Sequence, residues 1–266
     1  MKHLLVAIAI LTLAACAGMG GKPPAIKEEP VTYQDGSTTL KGFIVYDESR
    51  DDRRPGILVV HERWGITPHA RGEARIFAEQ GYTALVLDMY GDGVTTYDFK
   101  ESGKHAAGVL KNPPVMVSRF NAARAELARH RTVDPSRIGA VGYCFGGTVA
   151  LNMARAGADL VAVATFHATL TMNTPAPKQV KPKILVMNGA ADTVVKPDQI
   201  EALRKDMEAA KADYRFINYP GALHSFTNPA ANEIGKKLNL PIAYDAAVDK
   251  QAKAQAAKFF AEVFRK

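Results

Sequence analysis

The stretch Ala140-Val141-Gly142-Tyr143-Cys144-Phe145-Gly146-Gly147-Thr148-Val149-Ala150-Leu151 (AVGYCFGGTVAL) decides how the rest of the chain is read. Its first part closes an apolar run, Arg137 to Cys144, of the kind that forms a strand covered on both faces. Its second part opens a helical pattern over Phe145 to Ala156. A strand that turns at once into a helix strains the backbone of its apex residue, and the neighbours two before and two after must be small. Gly142 and Gly146 meet that need, which places Cys144 at the apex of a nucleophile elbow. The helix that follows presents unpaired N–H groups and the positive end of its dipole, so a thiolate or an oxyanion is stabilised there.

A lone Gly-X-Cys-X-Gly pattern is unspecific, so a base and an orienting acid must follow in the order the elbow requires. Asp192 lies in MNGAAD, after a strand and before Pro197 opens a helix. His224 lies in YPGALHSF, in a loop after the last strand. Cys144, Asp192, His224 is the required order, each at the carboxyl end of a strand, where open α/β sheets hold their ligands. His61 and His167 also lie at strand ends, a position from which a side chain can line a pocket, and they read as packing residues ahead of that alternative.

Working outward, strands are expected over Leu40 to Tyr46, Gly56 to Glu62, Tyr82 to Tyr90, Leu160 to His167, Lys183 to Asn188 and Tyr214 to Tyr219. Helices are expected near Pro68 to Gln80, Val115 to His130, Pro197 to Lys211 and Ala246 to Phe264. The alternation predicts an α/β fold with a mostly parallel central sheet and helices on both faces. Tyr90 to Pro114 is the longest stretch without clear pattern, the sort that forms a lid or wall over a site.

At 266 residues and 47% hydrophobic, the chain has material for one substantial core, and one domain is expected over 31–266. The net charge of +7 comes from scattered lysines and arginines with no aromatic-basic interleaving, so no nucleic-acid partner is expected. No H-E-x-x-H motif exists, because Gly65 stands where its second histidine would be, and neither a metal nor another cofactor is expected.

The N-terminus, MKHLLVAIAILTLAAC, has a basic start, a short apolar run and then small residues, which reads as a signal segment over 1–15. Leu13-Ala14-Ala15-Cys16 resembles a bacterial lipobox, which implies lipidation at Cys16, with Ala17 behind it pointing to the outer membrane. The glycine-, proline- and lysine-rich residues that follow suit a tether over 16–30. The expected setting is export to the cell envelope, on the periplasmic face of the outer membrane, with no membrane contact beyond the lipid. A monomer is expected. With Cys16 acylated, Cys144 has no disulfide partner among the two cysteines, which calls for a chemical reason to keep it.

With these residues in place, the chain resembles the dienelactone hydrolase family of the α/β-hydrolase fold from about Val31 to Lys266. The likeness rests on Val60-His61-Glu62-Arg63-Trp64-Gly65, Asp88-Met89-Tyr90, the Gly142 to Gly147 elbow, Gly189-Ala190-Ala191-Asp192 and Tyr219 to Phe226. It implies a cysteine nucleophile and a glutamate, here Glu62, that faces the thiol and keeps it neutral until substrate binds. Such restraint protects the sulfur from oxidation. It also implies oxyanion donors at the backbone N–H groups of Phe145 and Arg63, each typically worth about 3 kcal/mol in acyl transfer. Trp64, Tyr90, Tyr143 and Asn228 are candidate pocket residues. Asn228 stands where relatives that bind dienelactone carry an arginine, and no arginine lies between Tyr90 and Pro114.

The function these features imply is hydrolysis of small carboxylic esters or lactones through a Cys-His-Asp triad and an acyl-thioester. Acyl transfer or thioester hydrolysis would use the same residues. A binding lipoprotein that merely keeps the scaffold is the reading outside catalysis, and it gives no reason to retain all four of Cys144, Asp192, His224 and Glu62.

Overall fold

The apolar runs pair into one eight-stranded sheet. A computed structural model describes residues 23–175 and 177–265; the signal segment, Cys16 and the first part of the expected tether lie outside the described residues. The strands are β1 (Ile26–Asp35), β2 (Thr38–Asp47), β3 (Arg54–Val60), β4 (Thr83–Leu87), β5 (Val133–Tyr143), β6 (Ala162–Phe166), β7 (Lys183–Gly189) and β8 (Tyr214–Tyr219). They lie in the order β1-β2-β4-β3-β5-β6-β7-β8. The first pairs, β1 with β2 and β2 with β4, are antiparallel, and every pair from β4 through β3 to β8 is parallel.

The helices are α1 (Pro68–Glu79), α2 (Phe99–Leu110), α3 (Pro113–Arg129), α4 (Phe145–Arg155), α5 (Pro197–Ala209), α6 (Ala231–Leu238) and α7 (Ala246–Phe264). Alternation along the strands feeds two cores, since successive side chains point to opposite faces. In β3, Leu58 and Val60 join Phe120 of α3, Leu151 of α4 and Leu203 of α5, while Ile57 and Val59 join Phe77 of α1 and Phe259 and Phe260 of α7. Each buried aromatic ring of this kind is worth about 2–3 kcal/mol of transfer free energy. The α/β fold with helices on both faces is as the sequence predicts.

The topology places the site. From β3 the chain passes to β4 on one side and then to β5 on the other, so the strand order reverses at the crevice between β3 and β5. Ligands of open α/β sheets bind at such a switch point, beyond the carboxyl ends of the strands. The residues that follow β3 and β5 are His61-Glu62-Arg63 and Cys144.

Three elements depart from expectation. β1 starts at Ile26, inside the segment 16–30 expected to be a tether, so the folded body begins before Val31. It is an edge strand with only Tyr33 fully buried, and it pairs along its whole length with β2, from Ile26 opposite Asp47 to Asp35 opposite Thr38. α2 fills the stretch that lacked pattern, capped by Asp98, whose carboxylate accepts the Glu101 N–H at 2.7 Å. α6 is a short helix in the segment after the His224 loop.

Candidate active site

Cys144 caps α4 with φ 53° and ψ −118°, the strained apex its flanking glycines foretell. A Cβ on Gly142 would lie 2.1 Å from the Gly146 carbonyl oxygen, and one on Gly146 would lie 2.2 Å from that of Val60. No side chain fits at either place, so the backbone passes close enough to hold the turn. The Cys144 N–H donates to the Phe166 carbonyl at 3.0 Å, which ties the apex to β6. The sulfur borders a cavity and is largely buried.

His224 borders the same cavity. Its Nδ1 lies 2.7 Å from Asp192 Oδ2, while Asp192 Oδ1 accepts the Val194 N–H at 2.8 Å. An ionised carboxylate only accepts, so Nδ1 carries a proton and Nε2 is left to exchange one with the thiol. Gly189 allows this meeting, because a Cβ there would lie 2.4 Å from the Ala222 carbonyl oxygen in the histidine loop. Burial alone would pull the His224 pKa down, but negative charge on Cys144 and the bond to Asp192 outweigh it and raise it to about 10. His167 packs edge-on against His224 with ring centroids 5.2 Å apart, and burial with that neighbouring charge holds His167 neutral, well below the usual histidine range.

The loop after β3 is tied from several sides. His61 Nδ1 lies 2.6 Å from the Glu62 carbonyl oxygen, and its Nε2 accepts the Met89 N–H at 3.3 Å. A carbonyl only accepts, so the ring is the neutral Nδ1–H tautomer, in keeping with burial that lowers its pKa. The Glu62 carbonyl also accepts the Gly65 N–H at 3.2 Å. In a trans peptide the N–H points opposite to the C=O, so both bonds to the Glu62 carbonyl aim the Arg63 N–H the other way. The next carbonyl, of Arg63, accepts the Tyr90 hydroxyl at 3.0 Å. Among the described residues neither the Arg63 N–H nor the Phe145 N–H is engaged by a hydrogen bond, so both are free to meet an anion.

The cavity holds about 220 Å³ and is walled mainly by Trp64, Phe99, Val194, Leu240, Pro241 and Ile242. Arg63 adds the one side chain with a permanent positive charge, its guanidinium 4.1 Å from the Phe99 ring centre and donating to the Phe99 carbonyl at 2.8 Å. The wall from Leu240 to Ile242 is stitched to the histidine loop, with the Ala243 N–H donating to the His224 carbonyl at 3.1 Å.

The family model for the dienelactone hydrolase family matches residues 40–264. The chain belongs to this family. Among solved structures similar to it, the dienelactone hydrolase-like promiscuous phosphotriesterase from metagenomic libraries is 32% identical with a TM-score of 0.84, covering 90% of this chain and 99% of that one. The structure m3DLH is 34% identical with a TM-score of 0.86 and the same coverage. A Yersinia pestis protein named for carboxymethylenebutenolidase activity is 27% identical over 70% of this chain and 74% of its own. As a dienelactone hydrolase family member the protein is a carboxylic ester hydrolase.

Glu62 departs from what the family resemblance implies. Its Oε2 accepts Asn228 Nδ2 at 2.5 Å and pairs with His69 Nδ1 at 3.4 Å, and its Oε1 has no hydrogen-bond partner among the described residues, so no bond joins it to Cys144. His69 Nε2 faces two acceptors, the Thr227 carbonyl at 3.1 Å and Glu73 Oε1 at 3.3 Å. Glu73 Oε1 faces Nε2, and Glu62 Oε2 lies at ion-pair distance from Nδ1, which makes no hydrogen bond among the described residues; a carboxylate on either side favours the charged ring. Burial opposes that charge, but the two glutamates raise the His69 pKa to about 10. Burial would likewise raise the Glu62 pKa, and the His69 charge with the Asn228 bond brings it down to about 2. Glu73 in turn accepts the Tyr143 hydroxyl at 2.9 Å and pairs with Lys253 of α7 at 2.9 Å.

Of the pocket residues expected from sequence, Trp64 lines the cavity. Tyr90 instead braces the loop after β3, Asn228 holds Glu62, and Tyr143 lies on the opposite face against Glu73. Adjacent residues of a strand point to opposite faces, which takes Tyr143 away from the cavity Cys144 borders. Sequence reading missed His69, although its spacing from Glu73 on one helix was a visible signal. It also missed Phe99 and Val194, which reach the cavity from loops and element ends with no pattern of their own.

Proposed function

We propose that the protein hydrolyses small, largely apolar carboxylic esters or lactones through Cys144, His224 and Asp192. The observation that carries this reading is a strained Cys144 apex beside a histidine whose Nδ1 is held by Asp192 at 2.7 Å. The Cys144 thiolate attacks the ester carbonyl, a C–S bond forms, and the oxyanion takes the N–H groups of Phe145 and Arg63. The intermediate collapses with loss of the alcohol, which receives its proton from His224. Water then gives a proton to His224 and attacks the thioester, and the acid leaves as Cys144 is restored.

The substrate class follows from the walls. At about 220 Å³ the cavity lies below the usual range of drug-sized sites, roughly 300–1,000 Å³, so it suits a short acyl chain or a single ring. Asn228 in place of an arginine removes one half of a carboxylate clamp, which favours neutral esters over the anionic lactone for which the family is named.

The test is hydrolysis of short-chain aryl esters by wild type, by Cys144→Ala and by wild type treated with a thiol alkylator. Loss of turnover in both treated forms supports Cys144 as nucleophile. Turnover that survives in Cys144→Ala refutes it. Export and lipidation at Cys16 belong to the same proposal, supported by the lipobox-like sequence, and metabolic labelling with a palmitate analogue in wild type and Cys16→Ser tests them.

A further inference from the structure

We propose that the groove between Tyr97 and α6 is a second subsite, which takes the alcohol part of the ester as an uncharged alkyl or aryl group, while the cavity beside Cys144 takes a short acid. The inference rests on the proposed ester hydrolysis and names the substrate class of that site.

The cavity beside Cys144 holds about 220 Å³, so only a short substrate fits inside it whole, and anything longer must leave through its mouth. Next to it lies a groove of about 280 Å³, walled by Tyr97 from the loop before α2 and by Ile234 and Leu238 of α6. The two spaces share walls on two sides. On one, Trp64 lines the cavity and Tyr97 the groove, with ring centres 5.9 Å apart. On the other, Leu238 lines the groove and Leu240 the cavity, and Asn239 between them turns the chain in the left-handed conformation at φ 52°. Both walls are held. The Thr96 N–H donates to the Trp64 carbonyl at 3.0 Å, which keeps Tyr97 beside the indole, and the Leu240 N–H donates to the Gly235 carbonyl at 2.9 Å, which closes the turn.

Exposure points the same way. Among the described residues the large hydrophobic side chains that stand exposed are Tyr97, Phe99 and Val194. Phe99 and Val194 border the cavity and Tyr97 borders the groove, so all three gather at one mouth. Single exposed apolar residues are ordinary, whereas a gathered set marks a binding surface. Glu233 and Lys237 add opposite charges to the groove that sum to zero, so it offers neither an anion nor a cation a net attraction. The choice between acid and alcohol follows from the proton. His224 gives its proton to the departing alcohol, so the alcohol leaves on the histidine side. α6 follows the histidine loop, and the segment after it returns to that loop, with Ile242 bridged to His224 and the Ala243 N–H donating to the His224 carbonyl at 3.1 Å. The groove is therefore on the side where the alcohol departs.

The experiment has a binding arm and a turnover arm, both on the purified full chain. Trp64 is the sole tryptophan and stands in the wall between the two spaces, so its fluorescence reports 1-butanol and 1-octanol binding without any reaction. A methylene half-buried in an open groove gains about twofold in affinity, so four more of them should make 1-octanol bind about 15-fold tighter than 1-butanol. Ile234→Gln, on the half-buried face of α6, should weaken 1-octanol about fivefold and leave 1-butanol within about twofold. Tyr97→Ser on the other wall should do the same, and it decides if Ile234→Gln fails to fold. Equal affinity for the two alcohols overturns the proposal, as does a chain-length gain that both folded variants keep. In the turnover arm, acid release is followed from butyl and octyl acetate and from methyl butanoate and methyl octanoate. Wild type should show a lower KM for octyl than for butyl acetate with kcat little changed, and Ile234→Gln should erase that difference while leaving the two methyl esters as they were. Loss confined to the methyl ester pair overturns the assignment, because the groove then takes the acid. If no ester is turned over while the alcohols still bind as expected, the groove stands and the hydrolysis reading falls.

Discussion

His61→Phe tests whether the oxyanion loop is aimed by a side chain. The ring stacks over Phe145 at 5.6 Å and meets Tyr90 edge-on at 4.7 Å, and phenylalanine preserves both packings while removing both nitrogens. Two bonds are lost, from Nδ1 to the Glu62 carbonyl at 2.6 Å and from the Met89 N–H to Nε2 at 3.3 Å. Leaving the buried Met89 N–H without a partner costs about 1–3 kcal/mol of stability. The Glu62 carbonyl keeps its 3.2 Å bond from the Gly65 N–H, so the peptide is loosened and not freed. A whole oxyanion donor is worth about 3 kcal/mol, and losing half of that aim lowers kcat about tenfold with KM nearly unchanged. Steady-state hydrolysis of an aryl ester and a urea melt read the two effects separately. A folded variant with kcat within about twofold of wild type, or with KM raised and kcat kept, would show that His61 does not aim the Arg63 N–H.

Asp192→Asn leaves the shape but favours the wrong tautomer of His224, so kcat should fall about 10³- to 10⁴-fold with the fold intact; a loss below about tenfold in the ester assay would deny Asp192 its orienting role. Gly146→Ala puts a methyl group 2.2 Å from the Val60 carbonyl oxygen, and neither backbone segment has room to yield; the soluble yield and thermal midpoint should collapse, by more than about 3 kcal/mol. The His69–Glu62 pair also makes stability depend on pH. The His69 pKa rises on folding from 6.5 to about 10, so its contribution is complete below 6.5 and is lost as pH climbs through about 10. That of Glu62 drops from 4.5 to about 2, so its share is complete above 4.5 and is lost as pH falls through about 2. Urea melts should show the gap between wild type and His69→Gln at its widest near about pH 5.5, shrinking towards about pH 10, and a gap that widens with pH contradicts the charge assigned to His69.

What the sequence reveals divides by the range over which the physics acts. The elbow is legible because its constraint is local: Gly142 and Gly146 collide with backbone within a few residues or on the adjoining strand. Asp192 and His224 are legible because chain order and strand ends are linear features. β1 escapes because an edge strand with Lys27, Pro30 and Thr32 exposed and only Tyr33 fully buried has too little apolar alternation to stand out. α2 escapes because only Ser102 and Val109 are fully buried along it. The Glu62–His69 pair escapes for another reason: its partners come from the loop after β3, the start of α1 and the loop after β8, and only the folded sheet brings them together. Glu62 stands out in the sequence only through the family likeness of its loop, and nothing in that loop points to His69.

The site therefore holds two buried carboxylate–histidine pairs, and their separation explains how each keeps its charge. Asp192 serves His224, Glu62 serves His69, and His167 stands beside both, neutral, with its Nε2 2.9 Å from Thr227 Oγ1. A third imidazolium there would add positive charge beside His224 and His69, and the neighbouring charges together with burial keep the His167 proton off. A buried pair is held at little net gain, but stripping one partner leaves an uncompensated charge at a cost of about 3–5 kcal/mol. The second pair thus has a physical reason to persist: loss of either Glu62 or His69 would leave the other's charge buried and alone beside the Asp192–His224 pair.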